Sequence, residues 1–185
     1  MNQGIKLPYS VSNFEDLVKN GYHYVDKTHY VEVLENMGER YFFYLRPRRF
    51  GKSLFISMLH HYYGLEYKDQ FQELFGEYYI GQHPTPMASQ YMVLEFEFTK
   101  ITTVSEESTY NGFLERVRTG TKRFFAAYPN VFSVTEQKET LQKKVPADIM
   151  EEIVTLMLRK APNRKLYVMI DEYDHFANEL IAFRM

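Results

Sequence analysis

The sequence contains no cysteine and no tryptophan. Without thiols there is no disulfide, zinc–thiolate site, iron–sulfur cluster or cysteine nucleophile to consider. No apolar run approaches the ~20 residues that a membrane-spanning helix needs. The N-terminus also lacks the basic-then-apolar order of a secretory signal, so a cytoplasmic location without a membrane partner is expected. An excess of one charge is missing as well. Lys and Arg number 22 against 24 Asp and Glu, a net charge of −2, so no global positive field steers the chain to nucleic acid. Nine Gly and seven Pro in 185 residues form no low-complexity tract or clear linker, and no internal repeat is visible. Aromatics are abundant: 16 Tyr and 15 Phe within a hydrophobic fraction of 45%. With a mean hydropathy of −0.42, this describes a soluble globular chain long enough for one domain, residues 1–185, with a sizeable core.

Taken in order, the chain opens on a loose leader, Met1 to Pro8. Ser12-Asn-Phe-Glu15 reads as a capping box for a short helix with Phe14, Leu17 and Val18 inward, ended by Asn20-Gly21. Thr28 caps a second helix whose apolar side is Tyr30, Val33, Leu34 and Met37, with Gly38 as its stop. Tyr41–Leu45 is apolar without clean alternation, the pattern of a strand buried on both faces. Lys52–Tyr63 repeats Leu54, Phe55, Met58, Leu59 and Tyr62 at helical spacing, and a shorter helix is expected around Asp69–Phe75. Tyr91–Thr99 reads as a strand and Ser105–Tyr128 as a long helix with Tyr110, Phe113, Leu114, Val117, Phe124 and Phe125 inward. Lys138–Lys144 is polar and expected to be exposed. Pro146 opens a helix to Lys160 with Ile149, Ile153, Val154 and Met157 inward. Leu166–Ile170 is a second apolar strand that runs into Asp171-Glu172-Tyr173-Asp174. Strands alternating with helices predict an α/β fold with a mainly parallel sheet.

The chemistry concentrates between Tyr41 and Ser53, where an apolar run meets Arg46-Pro-Arg-Arg-Phe-Gly-Lys-Ser53 and then a helix. Strand, tight turn and helix is the context in which backbone N–H groups and a helix dipole hold phosphates. Lys52 would reach the β- and γ-phosphates, and the Ser53 hydroxyl would ligate Mg²⁺. The usual pattern G-x-x-x-x-G-K-[ST] asks for Gly at position 46, and Arg46 stands there. Arg cannot copy the conformational freedom of Gly. The guanidinium groups of Arg46, Arg48 and Arg49 could instead supplement the phosphate cradle. A Gly-Lys-[Ser/Thr] triplet arises by chance in about one chain in ten of this length. The second acidic motif sharpens it: Asp171 is placed to hold Mg²⁺, and Glu172 to polarise an attacking water.

Three segments together resemble the AAA-ATPase-like family of prokaryotic P-loop proteins: Tyr24-Val-Asp-Lys-Thr28, Arg46–Leu54 and Val168-Met-Ile-Asp-Glu-Tyr-Asp174. In that family the loop commonly reads RPRRFGK[ST], so Arg46 is a family trait. The resemblance implies a P-loop NTPase-like three-layer α/β/α fold, ATP with Mg²⁺ as cofactors, and Glu172 with Lys52 as the catalytic pair. Arg48, Arg49, Phe50, Gly51, Lys52, Ser53 and Leu54 would bind the nucleotide, and Ser53 and Asp171 the metal. It also implies that Tyr24–Thr28 lies near the adenine, although the same residues could equally form a turn holding the helix after Thr28. Domains of this kind carry further strands, a polar sensor residue and an arginine beyond the acidic strand. An incomplete domain is therefore expected: either the chain is a fragment, or a homo-oligomer or another chain covers Leu180, Ile181 and Phe183. Nucleic acid enters only through the nuclease-like region that often follows in the family.

Two other readings stand beside a hydrolysing ATPase. One is a nucleotide-binding regulatory or interaction module without turnover. The other is a nuclease using Glu95, Glu97 and Lys100, but Glu97-Phe-Thr-Lys100 lacks acid-x-Lys spacing, and a strand with one solvated face explains the two glutamates better. His60-His61 are adjacent and project to different sides of their helix, so helix-surface positions and no metal site are expected for them.

Overall fold

A computed structural model describes residues 5–45, 47, 49–99, 101 and 104–173. Arg46, Arg48, Lys100, Asp174 and the terminal residues 175–185 lie outside the described set, as does Met1–Gly4. The chain divides into two compact units, Met1–Tyr91 and Met92–Met185. Among the described residues there are eight α-helices, one 3-10 turn and two strands, which form a two-stranded parallel sheet. The fold is thus mixed α/β and mostly helical.

The first unit is built on aromatic packing. Helix α1 (Phe14–Lys19) is capped by Asn13, whose Oδ1 accepts the Asp16 N–H at 2.9 Å. The cap is one residue later than the Ser12 expected, because Asn caps as well as Ser and Asn13 holds the extended backbone a cap requires. Helix α1 lays Phe14 and Leu17 against α3 (Lys52–Tyr63), and the Phe14 N–H donates to Ser57 Oγ at 2.9 Å. Phe14 stacks on Phe75 of α4 (Phe71–Phe75) at 5.0 Å and meets Tyr24 edge-on at 5.5 Å. Phe14, Tyr62 and Phe75 are fully buried, each stabilising the unit by about 1.5–3 kcal/mol. Tyr62 belongs to this core, as its spacing suggested, and the adjacent Tyr63 is buried as well.

Helix α2 (Tyr30–Asn36) turns a different face inward from the one expected. Val31 is buried, whereas Tyr30, Val33 and Met37 are exposed. Thr28 does not cap α2, whose N-cap is His29. A 3-10 turn (Leu65–Gln70) joins α3 to α4, and α5 (Tyr79–Gln82) follows. His61 is not on the surface: it is only 2% exposed. The adjacent His60 is half-buried, with Nε2 2.9 Å from Glu66 Oε1.

In the second unit β1 (Tyr91–Glu97) and β2 (Lys165–Asp171) are joined by α6 (Glu106–Ala127), α7 (Val134–Gln142) and α8 (Pro146–Lys160). Helix α6 runs unbroken through Gly112 and Gly120. Gly120 is there because α6 lies directly on β1: a Cβ would stand 2.5 Å from the Glu95 carbonyl oxygen and 2.5 Å from Phe96 Cδ1. The Val93 N–H is taken by the Tyr128 hydroxyl at 2.8 Å. Helix α7 overlaps Lys138–Lys144, the stretch expected to be polar and exposed, and begins four residues before it. Its capping box pairs Ser133 with Glu136, and Thr140 is buried. Helix α8 packs through Ile149, Ile153, Leu156 and Met157, with Val154 turned out. Strand β2 is not buried on both faces. Met169 and Asp171 point inward while Val168 and Ile170 are exposed.

Candidate nucleotide-binding site

The loop lies in the first unit. The Phe50 N–H reaches the Pro47 carbonyl at 3.4 Å, and the Phe55 N–H donates to the Gly51 carbonyl at 3.0 Å, which starts α3. Gly51 is the N-cap of α3, in the left-handed region at φ 76° and ψ 27°. It presents no side chain to bond the first-turn N–H groups. A helix start carries about half a positive charge, and α3, twelve residues long, has the length to sustain it. Lys52 and Ser53 occupy its first two positions, half-buried, as is Leu54. Arg49 is also left-handed, at φ 66°, a conformation that costs a non-glycine residue about 1–2 kcal/mol. Arg49 and Phe50 are exposed. Thus Arg49, Phe50, Gly51, Lys52, Ser53 and Leu54 share one short turn and helix start.

The arm leading into the loop corrects an expectation. Tyr41–Leu45 is outside any strand, with Tyr41, Phe43 and Leu45 at 88%, 78% and 77% exposure. The odd positions face solvent, while Tyr44 stacks on Phe55 of α3 at 4.7 Å. The segment is thus tied to α3 by Tyr44. Its lack of polar residues suggested two covered faces, but burial of that kind needs neighbouring strands and helices on both sides.

Tyr24–Thr28 has a specific structural role. Asp26 Oδ2 accepts the Tyr79 N–H at 2.8 Å, and Thr28 Oγ1 accepts the Ile80 N–H at 3.1 Å, so these two side chains cap α5 across more than fifty residues of sequence. Thr28 is locked in turn by Asp26 Oδ1, which accepts its N–H at 2.8 Å and its hydroxyl at 2.7 Å. Burial opposes the charged form of Asp26, yet the Tyr79 and Thr28 donors win and hold its carboxyl below the usual range. Burial also pushes the Tyr24 hydroxyl well up, with Asp26 adding to it. The side chains of this turn hold α5, while the Lys27 and Thr28 carbonyls accept the Tyr30 and Val31 N–H groups at 3.1 and 3.0 Å, at the start of the helix that follows Thr28.

The acidic end lies in the second unit. Asp171 closes β2 at 8% exposure, and its carbonyl accepts the Phe98 N–H at 3.1 Å, which sets the carboxyl ends of the two strands side by side. Asp171 Oδ1 accepts the Glu172 N–H at 2.9 Å. Glu172 is left-handed, at φ 57°, so the chain leaves the strand abruptly there. Sequence offers no warning of this, since Glu seldom adopts that conformation. Glu97, on the neighbouring strand end, accepts the Thr99 hydroxyl at 2.8 Å and has Arg123 at 4.0 Å. Those contacts give the glutamate an ordinary partnered surface position, and Glu95 is half-buried on the same strand. Among the described residues no three His, Asp or Glu side chains converge as metal ligands. No described helix is long and apolar enough to cross a membrane.

The donor types suit a nucleotide and a hard cation. A glycine-opened helix start with an adjacent ammonium matches phosphate oxygens, and a hydroxyl and a carboxylate are oxygen ligands of the kind Mg²⁺ takes.

The family described as Predicted AAA-ATPase matches residues 8–184, and the chain belongs to it. A curated relative, an uncharacterized protein in the vnfD 5' region of Azotobacter chroococcum mcd 1, is 46% identical over 55 residues, which is 29% of this chain and 10% of that protein. The match therefore spans about a tenth of that relative's length. No solved structure matches the chain.

Proposed function

From membership in the predicted AAA-ATPase family, we propose that the chain binds ATP with Mg²⁺ and hydrolyses it to ADP and phosphate within a three-layer P-loop domain. The observation that carries this reading is Gly51, left-handed at the start of α3 with Lys52 and Ser53 directly after it. Lys52 would neutralise the β- and γ-phosphates, and the α3 N–H groups would hold their oxygens. Arg48 and Arg49 would add guanidinium forks, with Phe50 and Leu54 flanking them. Ser53 supplies a hydroxyl and Asp171 a carboxylate for the cation. Bound Mg²⁺ would spread the charge that develops on the transferring phosphoryl group. Glu172 would orient the attacking water and take its proton.

Thermal unfolding with and without ATP and Mg²⁺ tests the binding step. At a hundredfold excess over Kd, ligand stabilises by about 2.7 kcal/mol. A chain of this size gains about 2–4 °C per kcal/mol, so a rise of roughly 5–10 °C is expected, with Lys52→Ala abolishing it. No shift in the native chain would sink the proposal. The second reading is binding without turnover, and it is favoured by the high exposure of Tyr41, Phe43 and Leu45 in the arm that leads into the loop. Binding without phosphate release, measured on the same sample, selects that reading.

A further inference from the structure

The buried titratable group that phosphate chemistry leaves unused is His61. It sits on α3 between α1 and the 3-10 turn. Its Nδ1 lies 2.7 Å from the Ser57 carbonyl oxygen one turn back. A carbonyl only accepts, so the hydrogen-bond network assigns the ring proton to Nδ1. The ring lies against Tyr67, tilted by 35° with centroids 4.1 Å apart, and Phe14 closes another side at 6.2 Å. That tautomer leaves Nε2 a bare acceptor, buried and without a hydrogen-bond partner. Facing it is a carboxylate: Glu15 Oε2, on α1, at 3.7 Å. The other oxygen of Glu15 holds the Lys19 ammonium at 2.6 Å. Two acceptors thus face each other where one proton would turn repulsion into an ion pair.

We propose that His61 is a proton-operated joint between α1 and α3. A proton taken from solvent at Nε2 creates a donor aimed at Glu15 Oε2, and closing that gap to hydrogen-bond length reseats α1 on α3. The contact is already coupled to the backbone of both helices. The Phe14 N–H next to Glu15 is held by Ser57 Oγ, on the residue whose carbonyl holds Nδ1. Titratable groups face the ring from three elements among the described residues. From α1 come Glu15 and, through it, Lys19, which Glu73 of α4 approaches at 3.9 Å. From the 3-10 turn come Tyr67, tilted against the ring, and Glu66, engaged with His60. On α3 itself His60 lies with its ring 6.0 Å away. Burial works against the imidazolium first, and His60 adds to that, while the Ser57 carbonyl and Glu15 favour it; the balance holds His61 below its ordinary value. The ring is therefore neutral near neutral pH, and the joint operates on acidification. Since α3 starts at Gly51, the joint lies about three turns along the helix that carries the candidate loop.

The test is a pH titration of the full chain by two-dimensional NMR, following histidine ring protons and backbone amides together. His61 is expected to titrate below the ordinary histidine value, with the amides of Glu15–Lys19 shifting at the same midpoint. Glu15→Gln, at a part-exposed position, should lower that midpoint further and remove the coupled α1 shifts. His61→Phe, which keeps a ring against Tyr67, should abolish the α1 response to pH. If that variant does not fold, the Glu15→Gln comparison decides alone. The joint is refuted by α1 amides that do not follow the His61 midpoint, by α1 shifts that persist unchanged in Glu15→Gln, or by a His61 that stays neutral until the whole chain unfolds.

Discussion

Replacing Gly51 by Ala separates backbone conformation from packing at the loop. At φ 76° an added Cβ would meet nothing within 4 Å, so no clash contributes. The whole cost is that of a left-handed L-residue, about 1–2 kcal/mol. The alternative open to Ala is to relax into the right-handed region, which would extend α3 backwards and swing Lys52 and Ser53 to a new bearing. Either way the loss of stability is small and the loss of phosphate geometry is large. With no tryptophan and 16 tyrosines, urea unfolding can be followed by tyrosine fluorescence beside far-UV circular dichroism. Gly51→Ala is expected to lose about 2–8 °C in Tm, at about 2–4 °C per kcal/mol, and to lose most of its response to ATP and Mg²⁺. Gly51→Asn, which tolerates the left-handed region, should recover part of both. The reasoning fails if Gly51→Ala matches the native chain in stability and ATP response, or if Asn rescues nothing.

Three other outcomes follow from the geometry. Glu172→Gln should keep the ATP-induced thermal shift and stop phosphate release; hydrolysis at the native rate would reassign the general base. Gly120→Ala gains about 1 kcal/mol of helix propensity but drives a Cβ to 2.5 Å from the Glu95 carbonyl. Overpacking of about 1–3 kcal/mol should leave it less stable than the native chain in urea, and a net gain would contradict the close approach of α6 to β1. Glu136 is held by the Ser133 N–H and hydroxyl, then by Lys160, which lowers its carboxyl from 4.5 to about 2. Its contribution is present in full above pH 4.5 and is lost as pH falls toward 2. The stability difference between native chain and Glu136→Gln should therefore shrink across that window, and a constant difference would refute the cap's ionic character.

Much of the secondary structure was legible because it rests on local rules. The 3.6-residue spacing from Lys52 to Tyr63, Pro146 at a helix start and the apolar run after Lys165 each appear where the pattern placed them. The helices missed were α5 and α7, short elements whose signals are weak. Helix α5 is held by Asp26 and Thr28 from a distant segment, and no local window contains that information. Faces were less legible than elements. Val31 is buried and Val33 is not, although both are β-branched and apolar, since only the position of neighbouring helices separates them. At the candidate site, the grouping of Arg49–Leu54 follows from sequence adjacency. The left-handed Arg49 and Glu172 do not, because residue type argues against that conformation in both.

By itself the sequence determined which residues are chemically able to act: a Gly-Lys-Ser helix start, an Asp-Glu strand end, and no thiol. It also determined the aromatic material of the core. Tertiary structure decided what burial does to those groups. Tyr41–Leu45, apolar throughout, stays largely in solvent, while His61, polar and predicted outward, is sealed beside a carboxylate. The physical reason is the same in both cases. Hydrophobicity belongs to a residue, but burial and the cost of charge belong to its surroundings, and those are assembled from segments far apart in the chain.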